Sequence, residues 1–142
     1  MAAAPPTRID QIAIAVEDLD EALAYWESAF GLTPEYRERV DSDGVEEAML
    51  NVGGVYIQLL QATRDDSPIA KYLAKNGPGL HHLGFGVPDI NETLDHLRDE
   101  DVRLIDEEPR KGGGGHTVAF VHPKGTAAGG GILVELVDDS EH

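Results

Sequence analysis

The chain has 142 residues, 41% of them hydrophobic, and sets 27 Asp and Glu against 11 Lys and Arg for a formal net charge of −16. That length supplies one domain, or two small modules that share a core. No apolar run approaches the ~20 residues that span a bilayer, and the start of the chain lacks the basic and then apolar stretches of a signal peptide, so a cytoplasmic protein is expected. The charge repels phosphate backbones and argues against a nucleic-acid partner; it reads as a solubilising surface or as adaptation to a saline habitat. With no cysteine, disulfides and thiolate sites are excluded, and any metal must be held by nitrogen and oxygen.

The chain opens on Ile9-Asp10-Gln11-Ile12-Ala13-Ile14-Ala15-Val16, a strand by its alternation, and Asp18 followed by Glu21 is a capping-box start for the helix after it. Leu19, Ala22, Leu23, Trp26 and Phe30 recur at helical spacing and are expected in the core, with Gly31 at the exit. Short strands are expected at 35–40, 46–52 and 55–61. Ser67-Pro68 then starts a helix over 67–76 that Asn76-Gly77 stops.

At Leu80-His81-His82-Leu83-Gly84-Phe85-Gly86-Val87 the first strand recurs, and Asp89 with Glu92 repeats the capping box ahead of Ile90, Leu94 and Leu97. Strands at 104–107, 117–122 and 132–137 complete the second copy. The glycine runs 112–115 and 129–131 read as mobile loops, without the strand–loop–helix setting of a phosphate-binding loop.

The fold class expected is therefore α+β: two β-α-β-β-β modules, at about 8–62 and 79–138, joined by the helix at 67–76 in a single domain. Their sheets are expected to curl into one open barrel around a metal cup, with helices outside. Alternation puts Gln11, Ala13 and Ala15 on one face of the first strand and His82, Gly84 and Gly86 on the matching face of the other, which suggests a hollow.

Gln58 and Glu135 stand on the second pair of matching strands, so Gln11, Gln58, His82 and Glu135 form a mixed N/O set suited to a divalent metal with two open positions. Each alone is also an ordinary polar strand residue. Glu47 shares the parity of Met49 and Asn51 and can face the cup without ligating; it reads equally as a surface carboxylate, one of two adjacent glutamates. Arg110, Lys111 and Lys124 cluster near the glycine loop and the His122-Pro123-Lys124 turn.

The stretches Asp66-Ser67-Pro68-Ile69-Ala70-Lys71-Tyr72-Leu73, Gly79-Leu80-His81-His82-Leu83-Gly84-Phe85, Ile105-Asp106-Glu107-Glu108-Pro109-Arg110, His122-Pro123-Lys124 and Leu133-Val134-Glu135-Leu136 are similar to those of the methylmalonyl-CoA epimerase family of the vicinal oxygen chelate superfamily. The resemblance runs from about Arg8 to Val137. It implies that Gln58, His82 and Glu135 are metal ligands, that Glu47 is a catalytic base, with metal-bound Glu135 or an ordered water as candidates for the second acid/base, and that the protein is a homodimer. It further implies one divalent ion, Co2+ favoured with Mn2+, Ni2+ or Zn2+ as alternatives, and an acyl-CoA substrate whose anionic groups Arg110, Lys111 and Lys124 would meet. The epimerase pattern has His where this chain has Gln11; some glyoxalases I of the zinc type carry Gln there, so Gln11 is expected to ligate through its amide oxygen. The alternatives are a glyoxalase I-type lyase acting on a glutathione hemithioacetal, and a non-catalytic protein that binds a small ligand in the same cup, for which Glu47 would have no use.

Overall fold

A computed structural model describes residues 4–140. The chain divides into two compact units, one spanning Gln11–His81 and the other combining the residues up to Asp10 with those from His82 onward. Among the described residues no helix is long and apolar enough to cross a membrane.

The first unit holds β1 (Arg8–Ala15) from Gln11 onward, α1 (Leu19–Phe30), β2 (Tyr36–Val40), β3 (Val45–Val52), β4 (Val55–Ala62) and α2 (Pro68–Asn76). Its strands lie in the order β2-β3-β4-β1, with β1 parallel to β4 and the other pairs antiparallel. Asp18 caps α1 by accepting from the Glu21 N–H at 3.0 Å, and Gly31 ends it in the left-handed region at φ 70°, where a side chain would be strained. The helix packs Leu19, Ala22, Leu23 and Trp26 on Ala48, Leu50, Ile57 and Leu59, one face of the sheet.

Phe30 departs from the expected core, being 63% exposed. It occupies the last turn of α1, and its ring lies against Trp26 at a centroid distance of 5.4 Å. Helical spacing fixes which side of a helix a residue takes, but not whether the sheet reaches that far.

Over the other face lies α2. Ser67 caps it, accepting from the Ala70 N–H at 3.1 Å, and Pro68 stands at the first helical position, where no N–H is needed. Ile69, Tyr72 and Leu73 cover Ala13, Ala15, Val45 and Leu60. The small residues of β1 thus make room for a helix rather than a hollow along that half of the strand.

The second unit is built on β5 (Gly79–Val87), α3 (Ile90–Asp99), β6 (Arg110–Lys111), β7 (Thr117–Val121) and β8 (Val134–Asp138), ordered β5-β8-β7-β6. β5 and β8 are parallel; β7 is antiparallel to both its neighbours. Asp89 caps α3 through the N–H groups of Asn91 and Glu92, and the buried Asp138 accepts from the Ile90 N–H at 3.1 Å. Ile90 and Leu94 sink into Val87, Ala119, Val121 and Leu136.

Two expectations shift here. The strand expected at 104–107 reduces to a single bridge between Leu104 and Val121, and the paired segment is Arg110–Lys111. Asp106 explains the displacement: its side chain accepts from the Phe120 N–H at 2.8 Å, standing in for the backbone partner that a continuous strand would supply. Nor is Gly86 beside a hollow. A methyl group added there would come within 2.6 Å of both Arg8 Nε and Asp139 Oδ2, because the Arg8–Asp139 ion pair crosses over it.

Candidate active site

In the first unit the pairing register gathers the polar residues of one face. Gln11 stands opposite Tyr56, Gln58 opposite both Ala13 and Met49, and Glu47 opposite Leu60. Because side chains alternate along strands, Gln11, Gln58 and Glu47 all lie on the face that also carries Ala13 and Leu60, away from α1. Gln11 is 2% exposed and Glu47 4%. The buried amide oxygen of Gln58 has no hydrogen-bond partner in the protein, which costs about 1–3 kcal/mol unless something else supplies one.

The two adjacent glutamates of β3 separate cleanly. Glu46 accepts from Arg37 Nε at 2.7 Å on the outer surface, where Arg37 also meets Asp20. Glu47 turns inward, so the surface-carboxylate reading belongs to its neighbour.

Towards the strand ends the same face carries Tyr56, whose hydroxyl donates to Glu35 at 2.6 Å, and Asn51, whose amide donates to the other oxygen of Glu35 at 3.0 Å. The sequence reading passed over Glu35, which precedes β2 and shows no periodic signal.

In the second unit His82 and Glu135 occupy neighbouring strands. Gly84, two residues beyond His82, stands opposite Glu135, and Phe120 flanks Glu135 from β7. Gly84 carries no side chain, so Glu135 has no side-chain neighbour directly across from it on β5. His82 is 5% exposed, and its ring stands edge-to-face with Phe120 at 5.3 Å and 85°. The neighbouring His81 faces the other way and packs edge-to-face with Tyr72 at 4.9 Å; burial pushes its imidazole down to about 4.

Arg110 lies with its guanidinium carbon 5.6 Å from the centre of the Phe120 ring and its Nε 3.4 Å from Asp106 Oδ1. Lys111 donates to the Thr117 hydroxyl at 2.9 Å, and Lys124 is exposed in the turn after β7, its N–H donating to His122 Nδ1. The His122 imidazole is held below its ordinary value by desolvation and by the charges of Arg103 and Lys124. Phe120 and Asp106 are the residues of this unit that sequence reasoning missed. The available signal was parity, since Phe120 pairs with Glu135.

Among the described residues no three His, Asp or Glu side chains gather as a metal site by themselves. The candidate donors are the amide oxygens of Gln11 and Gln58 in one unit, and the imidazole of His82 and the carboxylate of Glu135 in the other. Such donors suit a divalent ion of borderline hardness.

Residues 10–120 match the model of the Glyoxalase/Bleomycin resistance protein/Dioxygenase superfamily. The mitochondrial methylmalonyl-CoA epimerase of Homo sapiens is 36% identical over 91% of this chain and 72% of its own length. The ethylmalonyl-CoA/methylmalonyl-CoA epimerase of Cereibacter sphaeroides is 34% identical over 91% and 96%. A Streptomyces coelicolor methylmalonyl-CoA epimerase variant in complex with 2-nitronate-propionyl-CoA superposes with a TM-score of 0.88 at 41% identity, covering 94% of this chain and 95% of that one. The glyoxalase-like class defined by the paired β-α-β-β-β modules is thus the class of this fold, and within that superfamily the chain belongs to the methylmalonyl-CoA epimerase family.

Proposed function

We propose that this protein is an isomerase that interconverts the (R) and (S) epimers of methylmalonyl-CoA. The observation that carries the reading is Glu47, a carboxylate 4% exposed, on the sheet face that also presents the unpartnered amide oxygen of Gln58. A protein that only sequestered a ligand would have no reason to hold a carboxylate there.

The hydrogen to be moved sits on a carbon between a thioester and a carboxylate. Glu47 takes that proton and becomes a carboxylic acid, while the C–H electron pair passes to the thioester carbonyl to give an enolate. Return of a proton to the opposite face completes the epimerisation, and Glu135 is the group we assign to that face. Paired acid/base groups of this kind contribute about 10²–10⁴-fold each when their basicity matches the task.

Gln11, Gln58, His82 and Glu135 would hold one divalent ion, Co2+ before Mn2+, Ni2+ or Zn2+. The fit rests on the buried, unpartnered Gln58 oxygen and the burial of His82 and Gln11. When bound, such an ion supplies positive charge that lowers the cost of negative charge developing on the substrate oxygens. Arg110, Lys111 and Lys124 are proposed to meet the anionic groups of coenzyme A, a local positive region on a chain of net charge −16. The active protein is proposed to be a homodimer.

The test is exchange of the α-hydrogen of methylmalonyl-CoA for deuterium in heavy water. Wild type should exchange it and interconvert both epimers. Exchange at the uncatalysed rate, or turnover of a glutathione hemithioacetal in its place, would overturn the reading.

A further inference from the structure

A histidine ring turns about a broad, roughly two-fold torsion, so an imidazole that must present one nitrogen in one direction needs a neighbour to fix its plane. Metal-binding histidines usually obtain this from a hydrogen bond to the second ring nitrogen. His82 has, in addition, a ring standing on it: Phe120, edge-to-face at 5.3 Å and 85°.

Phe120 is itself fixed from two sides by one short segment. Its N–H donates to Asp106 Oδ2 at 2.8 Å, which sets the backbone of β7 at that residue. Arg110 donates through Nε to Asp106 Oδ1 at 3.4 Å and lays its guanidinium carbon 5.6 Å from the centre of the Phe120 ring. One carboxylate therefore holds both the strand that carries the ring and the cation that lies over it. A cation so placed is attracted by the negative face of the ring. An edge-to-face aromatic pair adds attraction beyond burial, because the positive ring edge meets a negative face.

We infer that Phe120, braced by Asp106 and Arg110, is a positioning residue that fixes the imidazole plane of His82. The inference rests on the reading of His82 as a ligand of the active site, and it assigns Arg110 a task besides any contact with coenzyme A. The ring of Phe120 meets His82 and Arg110, so its proposed effect on the site runs through His82.

The deciding measurement is the nitrogen and carbon resonances of the His82 imidazole in the metal-free full chain, joined to Co2+ titration by calorimetry. Wild type should show one tautomer with sharp resonances. Phe120→Leu should displace and broaden them and weaken Co2+ binding on the order of tenfold, as loss of an outer-shell support typically does. Phe120→Tyr, which keeps the ring, should restore both. Arg110→Gln leaves the ring in place and should displace the same resonances to a smaller degree, which keeps the test open if Phe120→Leu fails to fold. Resonances and Co2+ affinity unchanged in both Phe120→Leu and Arg110→Gln would overturn the inference. Should wild type bind no Co2+, the metal reading falls, while the resonances of the metal-free protein still decide whether Phe120 positions His82.

Discussion

Glu46 and Glu47 are neighbours on β3 with opposite fates: the first pairs with Arg37 at 2.7 Å on the outside, the second is 4% exposed on the inner face. The relationship yields a paired test. Glu47→Gln keeps the shape of the side chain and removes its basicity, so it should retain the bound ion and lower the epimerisation rate by about 10²–10⁴-fold. Glu46→Gln removes a half-exposed ion pair worth at most about 1 kcal/mol and should leave the rate essentially unchanged. Equal loss of rate in the two variants would show that β3 as a whole, rather than the Glu47 carboxylate, is responsible.

Gln58 carries a local cost to the fold. Its buried amide oxygen has no partner in the protein, so Gln58→Leu should raise the stability of the metal-free protein by about 1–3 kcal/mol, measured by urea unfolding. The same variant should lose divalent-ion binding. A destabilised variant would mean that the amide is satisfied in solution.

Gln11→His should tighten divalent-ion binding, since an imidazole replaces a neutral amide oxygen at a position 2% exposed. Calorimetric titration with Co2+ checks this directly. Unchanged affinity would place Gln11 outside the ligand set.

His81 gives the protein an acid-side dependence whose sign is fixed. Burial lowers its folded-state pKa from 6.5 to about 4, so between those values the unfolded chain binds the extra proton and stability rises with pH. The contribution is fully present above pH 6.5 and is lost as pH falls towards 4, amounting to about 3 kcal/mol across the window. His81→Gln should flatten that part of the stability profile measured by urea unfolding at stepped pH. A profile as steep as wild type would place the titration on another group.

Gly86 is required because of its neighbours rather than its backbone. Gly86→Ala would push a methyl group against Arg8 and Asp139 at 2.6 Å, at a cost of about 1–3 kcal/mol. Adding Arg8→Ala should recover part of that loss, which thermal unfolding of the single and double variants would reveal.

Much of this was written in periodicity and caps. Asp18, Ser67 and Asp89 announce their helices because an unpaired helix N–H needs a nearby oxygen, and that demand is local. That Gln11, Gln58 and His82 lie on the strand faces expected for them was legible in the alternation of the duplicated strands. Phe30 was misjudged because exposure depends on where the opposing sheet ends. The segment before Arg110 was misjudged because the Asp106 side chain replaces a strand's hydrogen bond, a substitution that no alternation pattern registers. Phe120 and Glu35 were harder to find for a related reason: their contacts are with partners on other strands, chosen by register.

The ion pair between Arg8 and Asp139, with Thr7 donating its N–H to the Gly86 carbonyl at 2.9 Å, ties residues near the beginning of the chain to β5 and to the end of β8. During synthesis Arg8 leaves the ribosome long before Asp139 exists. The Gln11–His81 stretch can complete its own sheet and helices while that clasp stands open, and closing it is necessarily among the last events in making the molecule.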